Sequence, residues 1–140
     1  MKYTLDITPK PQSRPRFTRQ GRAYELAEMK RWKQELAMLL AMRNPKRIEK
    51  GAIHVSVTFY IRPPQTISKI KTKRPVANES LEKIYVDKKP DIDNYIKAVL
   101  DASNGLLFKD DGQIAALTTQ KLYSLNPRIE LEITKLEESK

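Results

Sequence analysis

Between residues 88 and 111, four carboxylates and a lysine stand at spacings that chemistry can use. Asp91 and Asp93 follow Pro90 one residue apart, Lys97 comes next, and Asp110 and Asp111 end the stretch. Carboxylate oxygens suit magnesium, a hard cation that prefers oxygen ligands. One or two such ions polarise a phosphoryl group, help deprotonate the attacking water and stabilise the leaving oxyanion. A nearby lysine stabilises the negative charge that grows in the transition state. Asp91, Asp93 and Asp111 as ligands, with Lys97 beside them, are the set that phosphodiester hydrolysis needs. Each residue also has a plain structural use: Asp91 as a helix N-cap, Asp93 with Lys97 as an exposed ion pair, and residues 110–112 as a turn.

A helix must carry this set. Pro90 and Asp91 open it, Ile92, Ile96, Val99 and Leu100 form its apolar stripe, and Asn104-Gly105 stops it. At about 100° per residue, Asp93, Lys97 and Asp101 share one flank away from that stripe. Asp91 sits at the helix mouth. The brief apolar run Leu106, Leu107 and Phe108 is expected to fold Asp110 and Asp111 back against the helix, so that three carboxylates converge.

The remaining elements follow from periodicity. Residues 2–8 alternate as a half-buried strand. A helix is expected over 25–43, with Leu26, Met29, Trp32, Leu36, Leu39 and Leu40 on one stripe and Asn44-Pro45 as its stop. Residues 52–61 read as a strand whose Ile53, Val55, Val57, Phe59 and Ile61 face the core. His54, the lone histidine, then faces the polar side, with no second histidine or thiol to complete a site. Strands over 113–123 and after Asn126-Pro127 complete an α+β domain spanning residues 1–140, a small mixed sheet with two main helices.

Two basic segments have no strong periodicity. Residues 10–24 interleave Arg14, Arg16, Arg19 and Arg22 with Phe17 and Tyr24. Arginine forks suit phosphate and aromatics can stack on bases, although a solvated loop packing two aromatics on the core explains the pattern equally. Gln20-Gly21 is suited to a hairpin turn. Residues 62–89 hold Lys69, Lys71, Lys73 and Arg74, and read as a basic flap closing on a nucleic-acid backbone or as a solvated charge run.

Composition agrees with a polyanionic partner. The 140 residues carry a net charge of +10, with a pI near 9.8 and 39% hydrophobic residues. The absence of cysteine excludes disulfides and thiolate zinc sites and is compatible with a reducing cytoplasm. No apolar run is long enough to span a bilayer, and the first residues are not expected to be a signal peptide. A binding module that grips branched DNA or RNA through charge alone is the rival from a different class.

Residues 89–114, Lys-Pro-Asp-Ile-Asp-Asn-Tyr-Ile-Lys-Ala-Val-Leu-Asp-Ala-Ser-Asn-Gly-Leu-Leu-Phe-Lys-Asp-Asp-Gly-Gln-Ile, closely resemble the signature of the RusA family of Holliday junction resolvases. Arg-Pro-Arg-Phe at 14–17 fits the same pattern. The resemblance implies that Asp91 and Asp93 are the first two catalytic aspartates, Lys97 the catalytic lysine and Asp111 the third aspartate. The connection before Asp110 is slightly shorter than in the family pattern, which keeps Asp110 in view beside Asp111. The resemblance further implies an intertwined homodimer, Mg2+ (with Mn2+ as a substitute) and paired nicks in a four-way DNA junction during recombination and repair. Arg14, Arg16, Lys69, Lys71 and Lys73 are the expected phosphate contacts. Members often occur in prophages.

Overall fold

The computed structural model describes residues 1–12, 16–21, 23–24, 26–68 and 77–136, with the side chains of 16–17 and 23–24 outside that description. The first strand, β1 (Lys2–Leu5), buries Tyr3 and Leu5 and exposes Lys2 and Thr4. It is shorter than the alternation suggested, because the chain turns after Leu5 with the Ile7 N–H donating to the Leu5 carbonyl at 2.8 Å. β2 (Arg16–Phe17) and β3 (Ala23–Tyr24) pair antiparallel as a small hairpin around the Gln20-Gly21 turn, where Gly21 takes a φ of 82°.

Helix α1 (Ala27–Ala41) buries Met29, Trp32, Leu36 and Leu40, the stripe the spacing predicts. Leu26 is its N-cap residue and offers no side-chain cap. Trp32 donates through Nε1 to the Thr8 carbonyl at 2.8 Å, which ties the helix to the end of the first segment. β4 (Ile53–Ile61) buries Ile53, Val55, Val57 and Phe59 on one face. After it come two single-turn helices, α2 (Gln65–Ser68) and α3 (Asn78–Leu81), and then α4 (Ile92–Ser103). A 3-10 turn (Asp111–Gln113) leads into β5 (Ile114–Tyr123), and β6 (Arg128–Lys135) follows.

The main sheet has the order β1-β6-β4-β5, with β4 and β5 parallel and the other pairs antiparallel. A parallel pair needs a long crossover, and residues 62–113, including α4, supply it. Helices α1 and α4 pack on each other and cover the apolar sheet face, which holds Val55, Val57, Phe59, Leu131 and Ile133. Each fully buried side chain of this kind contributes about 1.5–3 kcal/mol. The Phe59 and Tyr95 rings meet at 5.3 Å in a tilted contact between sheet and α4. The stripe of α4 is wider than its aliphatic residues suggested: Tyr95 and Ala98 are buried with Ile96 and Val99, because the helix meets both the sheet and α1.

Part of the segment read as a basic flap is docked. Leu81 of α3 is fully buried. Residues 84–86 add to the end of β5: the Tyr123 N–H donates to Ile84 and the Val86 N–H to Lys121, both through carbonyls. Among the described residues no helix is long and apolar enough to cross a membrane.

Candidate active site

The mouth of α4 opens into a cleft of about 690 Å³ lined by residues 85–89, Asp91, Ile92, Asp93 and residues 119–121. Two structural causes put it there. Residues 84–86 run along the end of β5, and Lys121 then donates from Nζ to the carbonyls of Lys88 and Pro90, both at 2.8 Å. These bonds hold the 88–90 segment, with its cis Lys89–Pro90 peptide, against the strand. The chain is thereby set to enter α4 with Asp91 facing the cleft.

Asp91 occupies the N-cap position with extended backbone (φ −68°, ψ 145°), yet its side chain makes no capping hydrogen bond. Cap and ligand roles therefore do not compete for this carboxylate. Asp93, in the first turn, accepts from the Asn94 N–H through Oδ1 at 3.0 Å. The partial positive charge of the helix N-terminus favours both carboxylates. Both are exposed, as is Lys97 one turn further along. The ion pairs of the described residues do not join Asp93 to Lys97. Asp101, on the same flank, is instead bound to Lys33 of α1 at 3.1 Å and serves the contact between helices.

Asp111 stands elsewhere. The chain leaves α4 at its far end, where Asn104 and Phe108 form a bridge, and β5 then runs back towards the cleft. Asp111 lies at the start of that strand and Lys121 near its finish. The 12 residues of α4 measure about 18 Å, so Asp91 and Asp111 sit at opposite ends of the helix. The expectation that the acidic pair folds back to the mouth is not met within one chain. Gln113 holds the turn at the far end: its side chain accepts from the Asp110 N–H at 3.0 Å and donates to the carbonyls of Ile48 and Gly51. Among the described residues, no group of three His, Cys, Asp or Glu side chains is arranged to hold a metal ion.

The cleft also contains groups that periodicity did not reveal. Asp87, Lys88, Lys89 and Lys121 line it with Asp91 and Asp93. Asp87 and burial together push the Tyr123 phenol upward, burial being the larger cause. The Thr119 hydroxyl, also at the cleft, is buried without a hydrogen-bond partner. Lys88 and Lys89 were visible beside Pro90 as sequence, but only the pairing of residues 84–86 with β5 brings Asp87 and Lys121 to them. His54 bonds Thr118 Oγ1 at 2.9 Å across the sheet, a structural contact away from the cleft.

The basic loop reaches the site through its first residues. The Gln12 N–H donates to the Asn94 carbonyl at 2.9 Å, so the loop passes the first turn of α4. Of the expected phosphate contacts, Arg14, Lys69, Lys71 and Lys73 lie outside the described residues, and Arg16 is described only as backbone in β2.

Comparison with known proteins agrees with the motif. An uncharacterized protein, YqaN, of Bacillus subtilis (strain 168) is 36% identical over 136 residues, 95% of this chain and 94% of its own length. The profile of the family described as Endodeoxyribonuclease RusA matches residues 6–134, from the end of β1 to the last strand, with the cleft and the acidic turn both inside it. A match over nearly the whole domain, and not over the helix motif alone, makes this chain a member of the RusA endodeoxyribonuclease family.

Proposed function

We propose that this protein is a divalent-metal-dependent endonuclease that resolves four-way DNA junctions by paired phosphodiester hydrolysis, acting as a homodimer in recombination and repair in the cytoplasm. The observation that carries the reading is the Asp91 carboxylate, held at the mouth of α4 beside Asp93 without being used as a cap. Family membership supplies the reaction class.

The donor chemistry fits Mg2+ or Mn2+: Asp91 and Asp93 offer hard oxygen ligands at a helix N-terminus and leave positions for water. Asp111 is the proposed third ligand. When bound, the ion supplies Lewis-acid polarisation of a phosphoryl group and a more acidic water. Lys97, exposed one turn beyond Asp93, is proposed to stabilise charge on the phosphoryl oxygens. Lys88 and Lys89 in the cleft wall, with Arg14, Arg16, Lys69, Lys71 and Lys73, are proposed to bind the backbone, the last three from a basic flap within residues 62–89. Junction choice then rests on shape and backbone position, with bases secondary.

The test is nicking of a synthetic four-way junction with titrated magnesium. Asp93→Asn is expected to abolish nicking and retain junction binding. A wild-type protein that nicks no branched substrate with either metal sinks the reading. One observation favours a second reading, a binding module without catalysis: the described residues of one chain present no three-carboxylate group. It predicts junction binding by wild type and Asp93→Asn alike, with no nicking by either. Equal cutting of linear and branched DNA would instead indicate a less selective nuclease.

A further inference from the structure

The strand that separates Asp111 from the cleft also has an open edge. β5 is the last strand of the sheet, and residues 84–86 cover it only at Lys121, Leu122 and Tyr123. Among the described residues, nothing pairs with the outer edge of residues 114–120. Seven consecutive residues, about 23 Å of strand, thus present free backbone donors and acceptors, an arrangement that proteins normally cover or blunt with charge. This edge is not blunted. Ile-Ala-Ala-Leu-Thr-Thr-Gln has no charge, in a chain with a net charge of +10. Leu117 is opposite Val55 in register, and so belongs to the apolar sheet face, yet it is 44% exposed.

The ends of the same strand are oppositely charged. Asp110 and Asp111 precede it; Lys121 closes it, beside Lys88 and Lys89. Two copies aligned antiparallel along this edge put the acidic end of each strand against the basic end of the other. A parallel alignment would put like charges together. The edge is therefore complementary to itself about a two-fold axis, the condition for an isologous interface.

We propose that two copies of this chain pair antiparallel through residues 114–120 of β5, centred on Leu117, and that Asp111 of the partner subunit completes the cleft at Asp91 and Asp93. The register follows from the free length. With Leu117 at the axis, Ile114 lies opposite Gln120 of the partner subunit, just short of the position where residues 84–86 take over. The turn carrying Asp111 then lies against the partner's residues 86–89, which form the cleft wall. The separation within one chain becomes convergence between two, and the dimer holds two equivalent sites. The catalytic part of this inference rests on the function proposed above; the pairing of edges does not.

The chain has no cysteine, so a single introduced thiol reports the interface. Leu117→Cys is expected to form a disulfide-linked dimer under mild oxidation, because residues at the axis of an antiparallel pair face their own copies. Glu35→Cys, on the exposed face of α1, is the control and is expected to stay monomeric on a non-reducing gel. Asp93→Asn and Asp111→Asn are then co-refolded. Neither variant nicks a junction alone, whereas their mixture regains about a quarter of the wild-type rate, since half of the dimers are mixed and each has one whole site. A Leu117→Cys protein that stays monomeric overturns the pairing, and a mixture as inactive as its components overturns the completion in trans. If the wild type nicks nothing, the proposed function fails while cross-linking still decides the interface.

Discussion

Lys121 Nζ lies 2.8 Å from the carbonyl oxygens of both Lys88 and Pro90. One ammonium group near the end of β5 thus bridges the two turns of chain that lead into α4, and this contact aims Asp91 at the cleft.

Replacing Lys121 with methionine keeps the length of the side chain and removes both charge-assisted bonds. Stability is expected to fall by about 1–2 kcal/mol. Junction nicking is expected to fall at least tenfold, since a shift of the α4 mouth by a fraction of an ångström moves both Asp91 and Asp93. Chemical unfolding and a nicking time course measure the two effects. Full activity in a destabilised Lys121→Met protein would show that the tether serves folding alone.

Asp91 separates stability from chemistry in another way. Removing an N-cap side chain ordinarily costs about 1 kcal/mol. The Asp91 side chain makes no capping bond, so Asp91→Asn loses only the charge at the helix end, a change of about 0.3–1 kcal/mol. Urea unfolding is expected to show this small loss while nicking disappears. A loss well above that range would mean that the carboxylate is a structural anchor.

Asp101 should behave differently from its flank neighbours. It pairs with Lys33 across the two helices at 3.1 Å, with 43% of its side chain exposed. Asp101→Asn is expected to leave nicking at the wild-type level and to cost less than about 1 kcal/mol. A large drop in nicking without unfolding would assign it to the site.

Glu82 gives the fold an acid-sensitive point. Its carboxylate accepts from Arg128 Nη1 at 2.9 Å, Ser124 Oγ at 2.6 Å and Asn78 Nδ2 at 3.1 Å. The Arg128 hydrogen bond is the largest cause holding this carboxyl below the ordinary range, reinforced by Ser124 and Asn78 and opposed by burial. A carboxyl depressed in the folded state stabilises the fold above its unfolded pKa, roughly 4.3, and that contribution is lost as pH falls through the lower folded value. Glu82→Gln is therefore expected to be destabilised by about 2–3 kcal/mol at pH 7. The gap from wild type should narrow steadily below about pH 4. Urea midpoints across that range test the sign: a gap that widens on acidification contradicts it.

Much of the fold was legible in one dimension because each element carries its own period. Met29, Trp32, Leu36 and Leu40 announce α1, and the alternation from Ile53 to Phe59 announces β4, since burying one face is a local property of helix or strand. Asp91, Asp93 and Lys97 were legible for the same reason: one short helix positions all three. Tyr95 and Ala98 were not counted with the core of α4, because two neighbours bury the helix and their arrangement has no local signature. The 77–89 segment read as irregular, yet Leu81, Glu82 and Val86 dock it through partners around residues 121–128, contacts between distant parts of the chain.

Asp111 shows where that limit falls. Sequence determined its type, its place before β5 and its likeness to a family motif. Tertiary structure decided its distance from Asp91, because the direction of β5 relative to α4 depends on parallel pairing with β4, which is set by a crossover of some fifty residues. Side-chain periods are local and survive in one dimension; the direction in which a strand returns depends on the packing of the whole sheet.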